Sequence, residues 1–538
     1  MVGPHAAAGQ GPLRPDAASQ FVPAAGRGQN GLASGSTGAS RVDAAAVDRF
    51  IEERRAGFGA AGPRRTEIYR QLLDAIRSGA LPAGVRLPSA RRLATAWSLP
   101  RGAVDEAFAQ LQAEGLVERR VGNGSFVARH LRPAPAPAAA PAPQPVDAAT
   151  RAVLDRLARW SAESRVFATP AAPAGSATRL RPGMPDSASF PIAAWRRELA
   201  HVLGEEHRAG LSYGVPAGVP ELREAVARHL SLTRSIHCRP EQVLIVGSPR
   251  QGIELMARVL LAPGECACVE DPGPLSMTRR FSLAHLDVVG VAPDEQGFDV
   301  DAARRLAPRA AAALLMPLHQ WPTGQRTSPP RRAELLDWAH ERDAWLVELD
   351  SLGEIVHDGA APPALFSEDR EGRVIFLGNF LSLMFPALRI AYLVLPESLI
   401  DVFVALRGLM GEHNPVAMQM ALAGFIDHGH LATHVRAMRK LYRARRDALV
   451  QAAHEQLPAG VHLGPVDGGV HACLHLDGRW PDRALAERLN ACGLAVQPLS
   501  AHVWQRGGLN GLLLGYGADD GPGIAGAVAE IGAALRQI

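Results

Sequence analysis

RVIFLGNFLSLMFPALRIAYLVLP, from Arg373 to Pro396, holds two unbroken apolar runs, RVIFLG and AYLVLP, around a loop that carries Asn379, Ser382 and Arg389. A sheet wetted on one face alternates apolar and polar residues. Runs this continuous belong to strands covered on both faces. Toward the N-terminus the same pattern recurs as AWLVEL (344–349), AALLMP (312–317), CACVED (266–271) and QVLIVG (242–247), with segments of helical periodicity between them. Strands alternating with helices predict an α/β fold with a mostly parallel sheet from about residue 180 onward.

The chain has 538 residues, 47% of them hydrophobic, enough for several buried cores. Among its 57 basic residues a single one, Lys440, is lysine. No apolar run reaches the roughly 18 uncharged residues that span a bilayer, and MVGPHAAAGQ lacks the basic-then-apolar order of a signal peptide. A cytoplasmic protein with no membrane partner is expected. The five cysteines, Cys238, Cys266, Cys268, Cys473 and Cys492, make no disulfide framework. Cys266 and Cys268 would point to one face of a strand but have no further ligands nearby, so they read as small buried apolar residues. The net charge of +3 is small, yet residues 64–130 carry eleven Arg against six Asp plus Glu. That local excess suits a polyanion.

Composition divides the chain into four. Residues 1–62, rich in Ala, Gly, Ser and Gln, cannot bury enough surface to offset ordering entropy and are expected to be largely disordered, apart from a short helix around Val42–Arg55. Residues 63–130 form a small domain. Residues 131–178 begin with RPAPAPAAAPAPQP (Arg132–Pro145), a semi-rigid spacer of ~3.1 Å per residue, followed by a polar amphipathic helix near Asp147–Ala162. Residues 179–538 make the α/β domain.

In the small domain, Ile68, Leu72, Leu73 and Ile76 have helical spacing; a Gly/Pro-punctuated turn follows. Ser89 can cap a second helix, Pro100 can open a third, and LVERRVGNGSFVAR alternates around Gly122-Asn123-Gly124 as a hairpin does. Three helices and a hairpin make a winged helix-turn-helix. IYRQLLDAIRSGALPAGVRLPSARRLA (68–94) followed by VDEAFAQLQAEGLVERRVGNGSFVA (104–128) resembles the DNA-binding domain of the GntR family over its whole length. Arg101, near the start of the third helix, is the candidate for the major groove; Arg91, Arg92, Arg119, Arg120 and Asn123 are candidates for phosphates or groove edges of a double-stranded operator. One departure is the opening of the recognition helix, Leu99-Pro100-Arg101-Gly102, where Gly102 weakens the helix start.

The large domain resembles the fold-type I aminotransferase domain of MocR-type regulators, in which a GntR head is fused to a pyridoxal 5'-phosphate (PLP) binding domain. The resemblance rests on GMPDSASFP (183–191), YGVPAGVPELR (213–223), EDPG (270–273), HQWPTG (319–324), GNFLSLMFPALRIAY (378–392) and HVRAMRKLYRARRD (434–447), in order and spacing. It implies PLP as the family cofactor, held by a lysine amine, a carboxylate on the pyridine nitrogen, and an arginine with backbone amides on the phosphate. Where relatives carry Gly-Thr-Phe-Ser-Lys, this chain has Gly378-Asn379-Phe380-Leu381-Ser382; where they carry Glu-Asp-Asp-Tyr-Asp, it has Glu348-Leu349-Asp350-Ser351-Leu352. The amine becomes Ser382, the pyridine-pairing carboxylate Leu349 and the ring-contacting tyrosine Ser351. Pro249, in Gly247-Ser248-Pro249-Arg250, removes a backbone donor from the phosphate loop. Arg389 stands at the phosphate-binding arginine. The remnant pocket is expected to comprise Ser382, Arg389, Asn379, Trp321 and Asp350, with no covalent PLP and no catalytic residue. Lys440, in a charged helical stretch, cannot substitute for the missing amine. His430 and His434 have i, i+4 spacing, but no metal is expected there. The resemblance further implies a head-to-tail homodimer and a small-molecule effector. A regulator that keeps PLP or another phosphorylated ligand noncovalently through Arg389 is the alternative reading; a working transaminase lacks its nucleophile.

Overall fold

The computed structural model describes residues 47–53, 65–120, 122–129, 148, 150–155, 179–204, 213–411 and 413–537. The chain divides into two compact units, Met1–Val153 and Leu154–Ile538. Of the extension at residues 1–62, read as largely disordered, residues 47–53 are described and helical and the rest lie outside the described residues, as does the extended spacer at 132–145; of the helix expected at 147–162, residues 150–155 are described and helical.

In the first unit, helices α1 (Arg65–Arg77), α2 (Ala90–Trp97) and α3 (Arg101–Ala113) precede a hairpin of β1 (Val117–Arg120) and β2 (Gly124–Val127). The apolar positions predicted from spacing, Ile68, Leu72, Leu73 and Ile76, are buried in one core with Leu93, Val104, Phe108 and Leu111. Ser89 caps α2 by accepting from the Arg92 amide at 3.2 Å, which satisfies an otherwise orphaned donor. Pro100 is the N-cap of α3 and offers it no side-chain bond. The hairpin closes over Gly122 and Gly124, both at positive φ, with the Asn123 amide donating to Arg120 O at 2.9 Å.

The short helix expected around Val42–Arg55 is described at residues 47–53 and packs into this core. Val47, Phe50 and Ile51 are buried there; Phe50 lies edge-on to Trp97 at 5.4 Å, and Trp97 Nε1 donates to Ile51 O at 3.0 Å. An indole N–H in a core must find an acceptor. A backbone carbonyl from upstream of the domain supplies it.

The second unit is built on a seven-stranded sheet. Its strands are β3 (Val243–Val246), β4 (Cys266–Glu270) and β5 (Asp287–Val291), then, after a small hairpin of β6 (Pro293–Asp294) and β7 (Gly297–Phe298), β8 (Ala310–Leu315), β9 (Trp345–Asp350), β10 (Val374–Asn379) and β11 (Ala391–Val394). The order is β3-β11-β10-β9-β8-β4-β5. Only β11 runs against its neighbours; the remaining pairs are parallel. The continuous apolar runs follow from two separate cores. Val243, Ile245, Phe376, Tyr392 and Val394 feed one, and Leu244, Val246, Ile375, Leu377 and Leu393 feed the other, as period-2 alternation requires of a sheet covered on both faces.

Beyond Pro396 lies a second, antiparallel sheet that the apolar runs do not announce: β12 (Val461–Leu463), β13 (His471–Leu476), β14 (Gln497–Pro498) and β15 (Gly511–Gly515), ordered β12-β13-β15-β14. Among the described residues no helix is long and apolar enough to cross a membrane.

Candidate functional sites

In the small unit, Arg91 and Arg92 enter from α2, Arg101 from the first position of α3, and Arg119 and Arg120 from β1. All five line one groove, together with Arg86. The proximity comes from tertiary structure: Arg86 forms a bridge with Phe126 beside the hairpin, and a side chain at Gly124 would meet the Arg86 guanidinium at 3.2 Å. Arg86 was not singled out from the sequence, where it is one arginine in a turn. Asn123, at the hairpin tip, is not among the groove residues. Asp105 sits between two of the arginines, 3.3 Å from Arg101 and 3.8 Å from Arg119, and Arg92 bridges Asp48 of the upstream helix at 2.5 Å. Arg120 lies over the Phe126 ring at 4.6 Å. The cationic groove is partly countered by these acids, a condition a phosphate backbone can displace because exposed ion pairs are weak.

In the large unit, the ends of the central strands converge on a cavity of about 580 Å³. Open α/β sheets place ligand sites where strand C-termini point. Helix α4 (Pro249–Leu260) brings Arg250 to its edge, and helix α5 (Leu275–Leu283) brings Leu275, Ser276 and Met277. The turn after β8 supplies His319 and Trp321, the end of β9 supplies Glu348–Leu352, and the loop after β10 supplies Ser382. The second sheet adds His471 and, from the turn after β14, His502.

Of the five expected pocket residues, Ser382, Trp321 and Asp350 line this cavity; Asn379 and Arg389 are not among its lining residues. Asn379 is buried, and its side chain accepts from the Ser382 amide at 3.1 Å, shaping the loop. Arg389 is an exposed residue in the left-handed region, φ 55°. Asp350 has a wall position but is committed elsewhere: Arg234, 2% exposed, donates Nε to it at 2.7 Å, and the Gly353 amide donates to it at 2.6 Å. Glu348, fully buried, accepts from the Leu365 and Phe366 amides at 3.0 and 2.9 Å, and burial holds its carboxyl above the usual range.

Sequence reading missed the imidazoles. His319, His471 and His502 each have a buried Nε2 without a hydrogen-bond partner among the described residues. Burial pushes His471 and His502 down to about 4 and His319 well below the usual value, so all three are neutral at pH 7. Trp321 Nε1 donates to His502 Nδ1 at 3.1 Å. That bond fixes the tautomer and leaves Nε2 of His502 as the N–H. His471 lies 4.7 Å from the Trp321 ring. Gly468 makes room for His319, since a side chain there would approach its Cε1 to 2.1 Å. HQWPTG could have signalled His319; His471 and His502 lie more than a hundred residues downstream and show nothing locally. His434, read beside His430 as a spacing fit for a metal, is buried with Nε2 3.0 Å from Leu383 O. His430 lies 3.5 Å from Glu198 instead.

Buried neutral imidazoles make the unit acid-sensitive. His471 titrates near 6.5 when unfolded and about 4 when folded, so the unfolded state binds the proton first. Its contribution is intact above 6.5 and is lost as pH falls toward 4. Between pH 7 and pH 5 this amounts to about 2 kcal/mol. Chemical denaturation should show wild type losing that much more than His471→Leu over the interval; equal losses would mean the imidazole is hydrated. Glu270, pushed up to about 8 by burial, has the opposite dependence, which cancels in the comparison.

Comparison with known proteins places each unit in a family. The bacterial regulatory protein model of the gntR family matches residues 64–127, and the aminotransferase class I and II model matches residues 183–506. The probable rhizopine catabolism regulatory protein MocR of Rhizobium meliloti is 30% identical over 463 residues, covering 85% of this chain and 91% of its own. The chain belongs to the MocR-type transcription regulators. The pyridoxine biosynthesis transcriptional regulator PdxR of Corynebacterium glutamicum is likewise 30% identical, over 87% of this chain and 95% of its own. Among solved structures, the α-aminoadipate aminotransferase LysN of Thermus thermophilus, complexed with N-(5'-phosphopyridoxyl)-L-leucine, superposes with TM-score 0.64 at 27% identity over 70% of this chain and 98% of its own.

The gntR model spans the groove arginines of this MocR-type regulator, and PLP is the cofactor of its aminotransferase-fold relatives. Covalent PLP does not fit the cavity residues. The wall includes Ser382 and no lysine, and Lys440 is exposed on helix α6 (His430–Gln456). Leu349, 2% exposed, offers no carboxylate, and the adjacent Asp350 is taken by Arg234.

Proposed function

We propose that this regulator binds an operator as a homodimer in the cytoplasm, with an aminotransferase-like domain that senses a small molecule and catalyses no transamination. The observation carrying this reading is the cavity wall, in which Ser382 and Leu349 stand where imine chemistry needs an amine and a pyridine-pairing acid. The domain limits we favour are a DNA-binding head at 63–130, extended upstream by residues 47–53, and an effector and dimerisation domain at 179–538. A head-to-tail pair, with each head near the partner's domain, is the arrangement the family resemblance supports.

Full-length protein incubated with PLP, reduced with borohydride and mapped by peptide mass is expected to carry no adduct. An adduct on Lys440 would overturn the noncatalytic reading. Arg250 favours a second reading, in which PLP or another phosphorylated compound is held noncovalently.

A further inference from the structure

Away from the cavity and the groove, three metal-ligating side chains converge on one point. Glu198 lies on the helix Ile192–Val202, and His428 and His430 flank the turn between the helix Val416–Asp427 and α6. Gly429, between the two histidines, is at φ 74°, a left-handed conformation that glycine adopts without strain. The turn brings both rings to the same carboxylate oxygen. Nδ1 of His428 is 2.9 Å from Glu198 Oε1, and Nε2 of His430 is 3.5 Å from it. The three ligand atoms lie within 4.8 Å of one another, the only such group of three among the described residues.

Packing fixes the arrangement. Glu198, 8% exposed, lies against Gly424, where a side chain would approach its Oε2 to 2.5 Å. His430 packs on the buried Phe425, with ring centroids 5.4 Å apart. The planes of the two imidazoles are inclined at 68°, so their nitrogens reach Oε1 from different directions and the rings do not stack. A carboxylate this deep in the protein needs a cation. Among the described residues Glu198 pairs with the two imidazoles and with no arginine or lysine.

A hydrogen bond accounts for His428 but leaves out His430, because 3.5 Å is long for one. A metal ion accounts for both. The ligands of a tetrahedral zinc ion, each about 2.0–2.1 Å from it, stand about 3.3 Å apart, a value between the two distances to Oε1. Two imidazole nitrogens select a first-row transition ion over magnesium or calcium, which take oxygen ligands.

We propose that Glu198, His428 and His430 form a three-ligand site for a divalent transition-metal ion, zinc foremost. The remaining position is left to water or an outside donor, on the side where His428 is exposed. The ion ties the helix Ile192–Val202 to the start of α6. His434, one turn further along α6, takes no part, since its Nε2 is 3.0 Å from Leu383 O.

Calorimetric titration of full-length protein, first stripped with EDTA, tests the site. Zinc chloride is expected to fill one site per chain, and magnesium chloride to fill none. His428→Ala and Glu198→Gln should each weaken zinc binding by at least about tenfold, since even partners outside the ligand shell are worth about 10–100-fold. His454→Ala, which removes an exposed histidine farther along α6, should bind zinc as wild type does. Zinc should also raise the unfolding temperature of wild type, because an ion that binds the folded state stabilises it, and should not do so for His428→Ala. No zinc uptake by wild type, or uptake unchanged in His428→Ala, overturns the proposal and leaves the three groups an ion pair. If Glu198→Gln does not fold, the change at the exposed His428 still decides.

Discussion

Replacing Arg234 with alanine is expected to destabilise the large unit by about 3–5 kcal/mol, the cost of leaving a buried charge without its partner. Arg234 is 2% exposed and donates Nε to Asp350 Oδ2 at 2.7 Å and Nη1 to Pro362 O at 2.6 Å. Asp350 would then keep only the Gly353 amide, beside a Glu348 that is itself fully buried. Two carboxyls would share a dry wall. Asp350→Asn in the same chain should restore part of the loss, because it removes the charge but keeps the acceptor for Gly353. Urea denaturation followed by the signal of the large unit measures both variants; a cost below about 1 kcal/mol for Arg234→Ala would show that water reaches Asp350. The pair also explains why an acid next to the pyridine-facing position cannot take over its role. Its charge is already spoken for across 116 residues of sequence.

Removing Arg91 and Arg119 together is expected to weaken binding to every duplex and to lower the salt slope by about 2, close to 0.9 for each phosphate contact. At 0.15 M salt the combined loss should be of the order of a hundredfold. Arg101→Ala should behave differently: a loss of about 1–3 kcal/mol on the operator with little change on unrelated sequence, if its guanidinium reads a base edge from the first position of α3. Asp105 touches both Arg101 and Arg119, so the two substitutions should be compared singly as well as together. Mobility-shift titrations at several salt concentrations supply all of these quantities. A double variant with an unchanged slope would remove Arg91 and Arg119 from the phosphate interface.

Much of this molecule is written locally. Continuous apolar runs such as RVIFLG and AYLVLP are β10 and β11 because only a sheet with a core on each face can bury every residue of such a run. Helical spacing placed Ile68, Leu72, Leu73 and Ile76 in the head core, and the Gly122-Asn123-Gly124 turn follows from backbone angles that glycine tolerates. Lysine's absence from the loop at Ser382 needs no coordinates at all; composition alone decides it.

What the sequence could not decide is which distant groups meet. The upstream helix joins the head because the Trp97 indole needs the Ile51 carbonyl, a requirement no composition window at residues 1–62 displays. Asp350 looked available for a ligand until Arg234, far away in the chain, was found beside it. Asn379 and Arg389 are not among the residues lining the cavity, while Arg250, His471 and His502 are, since the second sheet and the start of α4 converge there only in three dimensions. The sequence by itself determined the two domains' local elements, the charge of the head and the loss of the amine, all of them properties of neighbours along the chain. The tertiary structure alone decided which charges are neutralised, which imidazoles are dry and which arginine faces the cavity, because burial and pairing depend on distances that chain order does not specify.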